Sequence, residues 1–80
     1  MHEMGLARNI IAIVSEHAGT RPVRRVRVAI GPLACVEREA LTFCFGVVAA
    51  ETPLASAELT FVDAQKDELL IKDFELEELH

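Results

Sequence analysis

Apolar residues recur at helical spacing near the start of the chain. Leu6, Ile10, Ile13 and His17 fall every three to four positions, with Ala7, Ile11, Val14 and Ala18 beside them and Arg8, Asn9, Ser15 and Glu16 opposite. That period predicts a helix from Glu3 to about Ala18. Glu3 in its first turn suits the positive end of the helix dipole. Gly19 reads as the C-cap, and Pro22 blocks continuation. From Val23 to Ile30 the period becomes two. Val26, Val28 and Ile30 point one way, Arg25 and Arg27 the other, which predicts a strand with one buried and one solvated face. Gly31-Pro32 closes it.

Val36 to about Ala50 reads as a second helix, with Ala40, Leu41, Cys44, Val47 and Val48 as its stripe. Phe43 and Phe45 widen that stripe and are expected to fill the core of a small domain. A loop, Glu51 to Ser56, leads to a second strand, Ala57 to Val62, with Leu59 and Phe61 inward. A polar turn, Asp63 to Asp67, precedes a third strand, Glu68 to Leu76. The phase of that strand slips: Leu69 and Ile71 share one phase, Phe74 and Leu76 the other. An extra residue near Lys72-Asp73 brings all four to one face, which is what a β-bulge does.

The order α-β-α-β-β predicts an α+β fold, with two helices on one face of a three-stranded antiparallel sheet. Strands 2 and 3 read as a hairpin, and strand 1 passes through helix 2 to strand 2 by a crossover of right-handed preference. Charge suggests the strand order. Arg24, Arg25 and Arg27 on strand 1 match Asp73, Glu75 and Glu77 on strand 3, and cross-strand opposite charges are favourable. This puts strand 3 in the middle.

Eighty residues make one domain, 1–80, and a chain this short supports only a thin two-layer fold. The net charge of -5 argues against a nucleic-acid partner, whose footprint is a basic face. No apolar run reaches the roughly 18 residues of a membrane span. Glu3 stands where a signal peptide carries positive charge. These features together read as a cytoplasmic protein. Cys35 and Cys44, separated mostly by a helical pattern, lie too far apart for a disulfide and read as two thiols. The chain shows no Gly-rich phosphate loop, no Gly-x-Ser-x-Gly and no His-Glu-x-x-His, so it does not read as an enzyme. Cys44 on an apolar stripe reads as an inert core thiol, and Cys35 has no sequence-local base. His17 near the C-terminus of helix 1 suits packing or the dipole. The run Arg21, Arg24, Arg25, Arg27 reads as a solvated face neutralised by strand 3, and the terminal His80 is given no weight.

The remaining chemistry lies at Met1-His2-Glu3. An α-amine loses its proton at a pKa of about 7.7–8.0, close to neutrality. With His at position two, the amine, the deprotonated His2 amide and the imidazole close fused chelate rings around one ion. A flat nitrogen-rich set suits Ni(II) or Cu(II). The fourth donor is open: the Glu3 amide, the Glu3 carboxylate, or a group from a partner.

Met1-His2-Glu3-Met4 leading into an apolar helix resembles the start of the HypA/HybF family of nickel chaperones for [NiFe]-hydrogenase maturation. Val26 to Glu37 is similar to that family's "LxIGxLxxVE" stretch, Leu41 to Phe45 to its "LxFxF" helix, Ala57 to Phe61 to its second strand, and Glu68 to Leu76 to its closing "ELxVKxxEV" strand. The resemblance implies a metallochaperone that holds Ni(II) at Met1, His2 and Glu3. It also implies delivery to a hydrogenase large-subunit precursor with a HypB-type GTPase, and in some cases to urease. One departure is large. The family carries a zinc domain, built on two Cys-x-x-Cys pairs, between strands 2 and 3. Here Val62 reaches Glu68 across five residues with no cysteine. No zinc site is therefore expected, and the chain resembles the nickel-binding half alone, either a natural short paralogue or an engineered deletion. The alternative reading is a structural or protein-interaction module that keeps the fold without metal delivery.

Overall fold

The elements are α1 (Glu3–Ala18), β1 (Val23–Ile30), α2 (Arg38–Ala49), β2 (Glu58–Asp63) and β3 (Leu69–Leu76), in a computed structural model that describes residues 2–78. α1 and β1 keep the bounds that their periodicity predicts. α1 buries Ala7, Ile10, Ile11, Val14 and Ala18, while Ile13 and His17 lie outside that stripe. It ends at Gly19, whose φ of 67° lies in the left-handed region and whose N–H donates to Ser15 O at 2.9 Å.

α2 starts two residues later than its pattern suggests. Cys35 takes a left-handed φ of 58°, and Glu37 is extended at the N-cap, so the loop runs on through both. The buried face of α2 is Leu41, Phe45 and Ala49. Phe43 is 71% exposed and Val47 53%, so Phe43 is not a core residue as its size suggested. At 3.6 residues per turn, positions two apart point about 160° away from each other, so Phe43 and Phe45 cannot share one face.

The sheet order is β2-β1-β3, with β1 parallel to β2 and antiparallel to β3. This corrects the expected order in three respects. β1 is central, not β3. The sheet is mixed, not antiparallel. β2 and β3 lie on opposite edges and form no hairpin. The charge pattern had paired β1 with the acids of β3 alone. Arg25 in fact sits between Glu58 of β2 (3.4 Å) and Glu75 of β3 (3.6 Å). Burial agrees, because Val23, Val26, Val28, Ala29 and Ile30 of β1 are all buried while both other strands are partly open. The β1-α2-β2 segment is thus a parallel crossover unit, which needs a long connection of this kind.

The expected bulge is present. Arg27 pairs with Asp73 and Val28 with Ile71, so Lys72 is the extra residue. Leu69, Ile71, Phe74 and Leu76 all pack against the same core. A second register shift, between Val23 and Arg25, makes Arg24 extra on β1. One apolar cluster unites α1, α2 and the inward side of β1, with Leu41, Leu54, Val14, Val23, Val26 and Val28 fully enclosed.

The opposite sheet face carries Arg25 and Arg27. Arg27 Nε donates to Asp73 Oδ1 at 2.7 Å, and its Nη2 donates to Oδ2, a bidentate pair. That guanidinium holds the Asp73 carboxyl below its ordinary value. Of the basic run, Arg25 is thus answered by acids from both neighbouring strands and Arg27 by Asp73 of β3.

The segment 64–68 wraps around the end of β1. Ala64 N–H donates to Ile30 O, Gly31 N–H to Glu68 O at 2.8 Å, and Leu33 N–H to Lys66 O at 2.7 Å. Crossing from one edge of the sheet to the other spans two strand spacings, roughly 10 Å. Gly31 is required by this closeness, since a Cβ there would stand 2.6 Å from Gln65 O and nearer still to Lys66 O.

Candidate metal centre

α1 begins abruptly at the chain end. His2 is its N-cap, with φ -84° and ψ 95°, and its carbonyl accepts the Leu6 N–H at 3.0 Å. The imidazole makes no capping bond and is exposed. The amides of a first helical turn have no partner within the helix. His2 thus presents a free ring beside backbone nitrogens that the helix does not use.

Glu3 is placed differently. Its Oε2 accepts the backbone N–H of Glu37 at 3.2 Å, across 34 positions of sequence. That hydrogen bond, followed by one from the Glu3 amide itself, lowers the pKa of the carboxyl from its ordinary value. Desolvation opposes the shift, and the nearby positive charges of the terminal amine and His2 add to it. Met1, the third residue of the sequence-based site, lies outside the described residues, as does His80. Among the described residues, no three His, Cys, Asp or Glu side chains gather where they could hold a metal ion.

The other candidates stand apart from the tip. Cys35 is exposed and Cys44 half-buried, and both are free thiols. The His17 ring makes a hydrogen bond through Nδ1 to Ile13 O at 2.9 Å, one turn back on its own helix, and lies exposed rather than packed. The contact that sequence reasoning missed is Glu3 with the Glu37 amide. A signal for it existed. The residues before α2 are Cys35-Val36-Glu37, with no Ser, Thr, Asn or Asp to cap the helix, so an acceptor from elsewhere in the fold was called for.

The family described as "Hydrogenase/urease nickel incorporation, metallochaperone, hypA" matches residues 1–71. The chain belongs to the HypA family. The match begins at the first residue, so it takes in the whole tip. A hydrogenase maturation factor HypA from Actinobacillus succinogenes is 43% identical over 65 residues, covering 78% of this chain and 58% of the relative. One from Chloroflexus aggregans is 47% identical over 62 residues, covering 74% and 54%. The chain thus spans a little over half the length of these HypA relatives. In fold it matches the solution structure of a HypA protein, with a TM-score of 0.78 at 19% identity over 95% of this chain and 96% of the other. It also matches that of the Ni metallochaperone HypA from Helicobacter pylori, with a TM-score of 0.71 at 19% identity over 98% and 95%. HypA is a nickel metallochaperone family of hydrogenase maturation. No helix among the described residues is long and apolar enough to cross a membrane.

Proposed function

We propose that this chain is the nickel-binding domain of a HypA-type metallochaperone, holding Ni(II) through Met1, His2 and Glu3. The observation that carries the proposal is the family match over residues 1–71, which includes His2 with its imidazole uncommitted at the start of α1. Nickel is cargo here, and no bond is made or broken in it beyond coordination and release. The Met1 amine, the His2 amide and the His2 imidazole supply three nitrogens, and residue 3 or a partner supplies the fourth donor. The recipient is a hydrogenase large-subunit precursor, with a HypB-type GTPase as a partner in delivery. The connection 64–68, lying tight across the end of β1, stands where family resemblance places a zinc unit. We read this chain as a single domain that folds without zinc, in the cytoplasm.

The test is titration of Ni(II) into protein whose Met1 amine is verified free. One saturable site is expected, weakening as pH falls, because protons and metal compete for the same nitrogens. His2→Ala, or one residue added before Met1, should remove most of the affinity. Unchanged binding in both would place the nickel elsewhere and overturn the site, whereas the lack of any saturable site would leave the interaction module, for which the exposed Phe43 and Val47 on α2 offer a surface.

A further inference from the structure

Among the described residues, the first turn of α1 makes one side-chain hydrogen bond to another element. Its His2 cap makes no side-chain bond, whereas the Glu3 carboxylate reaches the Glu37 amide at 3.2 Å. Glu37 is the N-cap of α2, and α2 has no side-chain cap of its own. Glu3 therefore supplies from α1 what α2 lacks: a side-chain acceptor for the amide at its N-cap, carrying negative charge to the positive end of the dipole. The loop that presents Glu37 is itself held. Gly31 and Leu33 donate to Glu68 O and Lys66 O, and Ala34 N–H donates to Gly31 O at 3.1 Å. One carboxylate thus joins a chain end, which ordinarily frays, to a loop fixed by three backbone bonds.

We propose that the Glu3 side chain is a positioning residue for the nickel tip: its carboxylate pins the first turn of α1 to the amide of Glu37 and is not the fourth donor, a role left to the Glu3 backbone amide or a partner's group. This rests on the nickel reading above. To turn toward nickel, the carboxylate would leave both its hydrogen bond and the dipole of α2. Kept in place, it orders residues 2 and 3 before the metal arrives, so the donors need not be ordered at the moment of binding.

The experiment compares Glu3→Ala, Glu3→Gln and Glu37→Pro by Ni(II) titration and by amide hydrogen exchange in the metal-free protein, with circular dichroism as the check on folding. The glutamine oxygen still accepts the Glu37 N–H, so Glu3→Gln should bind nickel within about twofold of the parent. Glu3→Ala removes the acceptor, and nickel affinity should fall by about 10–100-fold, the usual range for a group that orients ligands. Glu37→Pro removes the donor at a φ of -83°, near what proline adopts. It should cost as much as Glu3→Ala, and the double variant no more than either alone. In the metal-free protein, exchange at Glu37 should quicken in Glu3→Ala and stay slow in Glu3→Gln. Loss of affinity in Glu3→Gln equal to that in Glu3→Ala, with Glu37 still protected, would make the carboxylate a ligand and overturn the inference. So would parental affinity in Glu3→Ala. His2→Ala keeps the two readings separate: its binding decides the nickel site, and exchange at Glu37 without metal decides the anchor.

Discussion

At Gly31 two stretches of backbone pass so closely that not even a methyl group fits between them. At His2 the side chain meets solvent and makes no capping bond. The two places lie at either end of one path, from the β2-β3 connection through the β1-α2 loop to Glu37 and then to Glu3. Crowding has taken all chemical freedom from one end, and the other keeps it. A chain of this length can afford few rigid points, and it places one just behind the residues that must stay reachable. Substitutions should therefore separate stability from metal binding cleanly along this path.

The largest effect is expected at the crowded end. Gly31→Ala must push residues 64–68 away, an overpacking cost of about 1–3 kcal/mol, and strain the bonds to Lys66 O and Glu68 O, each worth about 0.5–1.5 kcal/mol. A loss of about 2–6 kcal/mol in urea unfolding follows, and a parental midpoint would show that the loops part freely. Leu41→Ala, at a fully enclosed position of α2, should cost about 2–5 kcal/mol. Phe43→Ala, on the same helix but exposed, should stay within about 0.5 kcal/mol.

A smaller, pH-dependent effect is expected on the open sheet face. Arg27 holds the Asp73 carboxyl below its ordinary 3.8. The unfolded chain therefore binds the proton first as pH falls. The stability from this pair is complete above 3.8 and is lost as pH drops below it. Asp73→Asn should unfold more easily than the parent at neutral pH, and the difference should close in acid. A gap that persists well below pH 3 would assign the effect to packing instead. The smallest effect on stability is expected at the tip, where His2→Ala should change the unfolding free energy by no more than about 0.5 kcal/mol while removing most nickel binding.

Periodicity located α1 and β1 to the residue, and the slipped phase of β3 revealed its bulge, because each of those signals lies within one segment. The strand order does not. Arg25 finds acids on both sides, and Glu58 is a single acid among apolar residues that the count of charges on β3 outweighed. Phe43 and Phe45 look alike in composition, and the register of α2 decides which is buried. Gly31 was legible as a strand end, but its closeness to Lys66 arises only once segment 64–68 crosses over β1. The residues proposed for nickel could be named from the sequence because their chemistry is local to three consecutive positions. The Glu37 amide was not, since a backbone group 34 positions away leaves no mark in the sequence beyond a helix without a cap.

The placement of β1 in the middle leaves two open strand edges, and open edges invite one copy of a protein to stack on another. They are guarded differently. Along β3 the bulge at Lys72 interrupts the row of backbone groups and sets a lysine beside the break. Along β2 the ladder is regular, but Glu58 and Asp63 stand at its two ends, so two such edges coming together would crowd four carboxylates. What keeps copies of this chain apart is therefore set by its sheet margins as much as by its core.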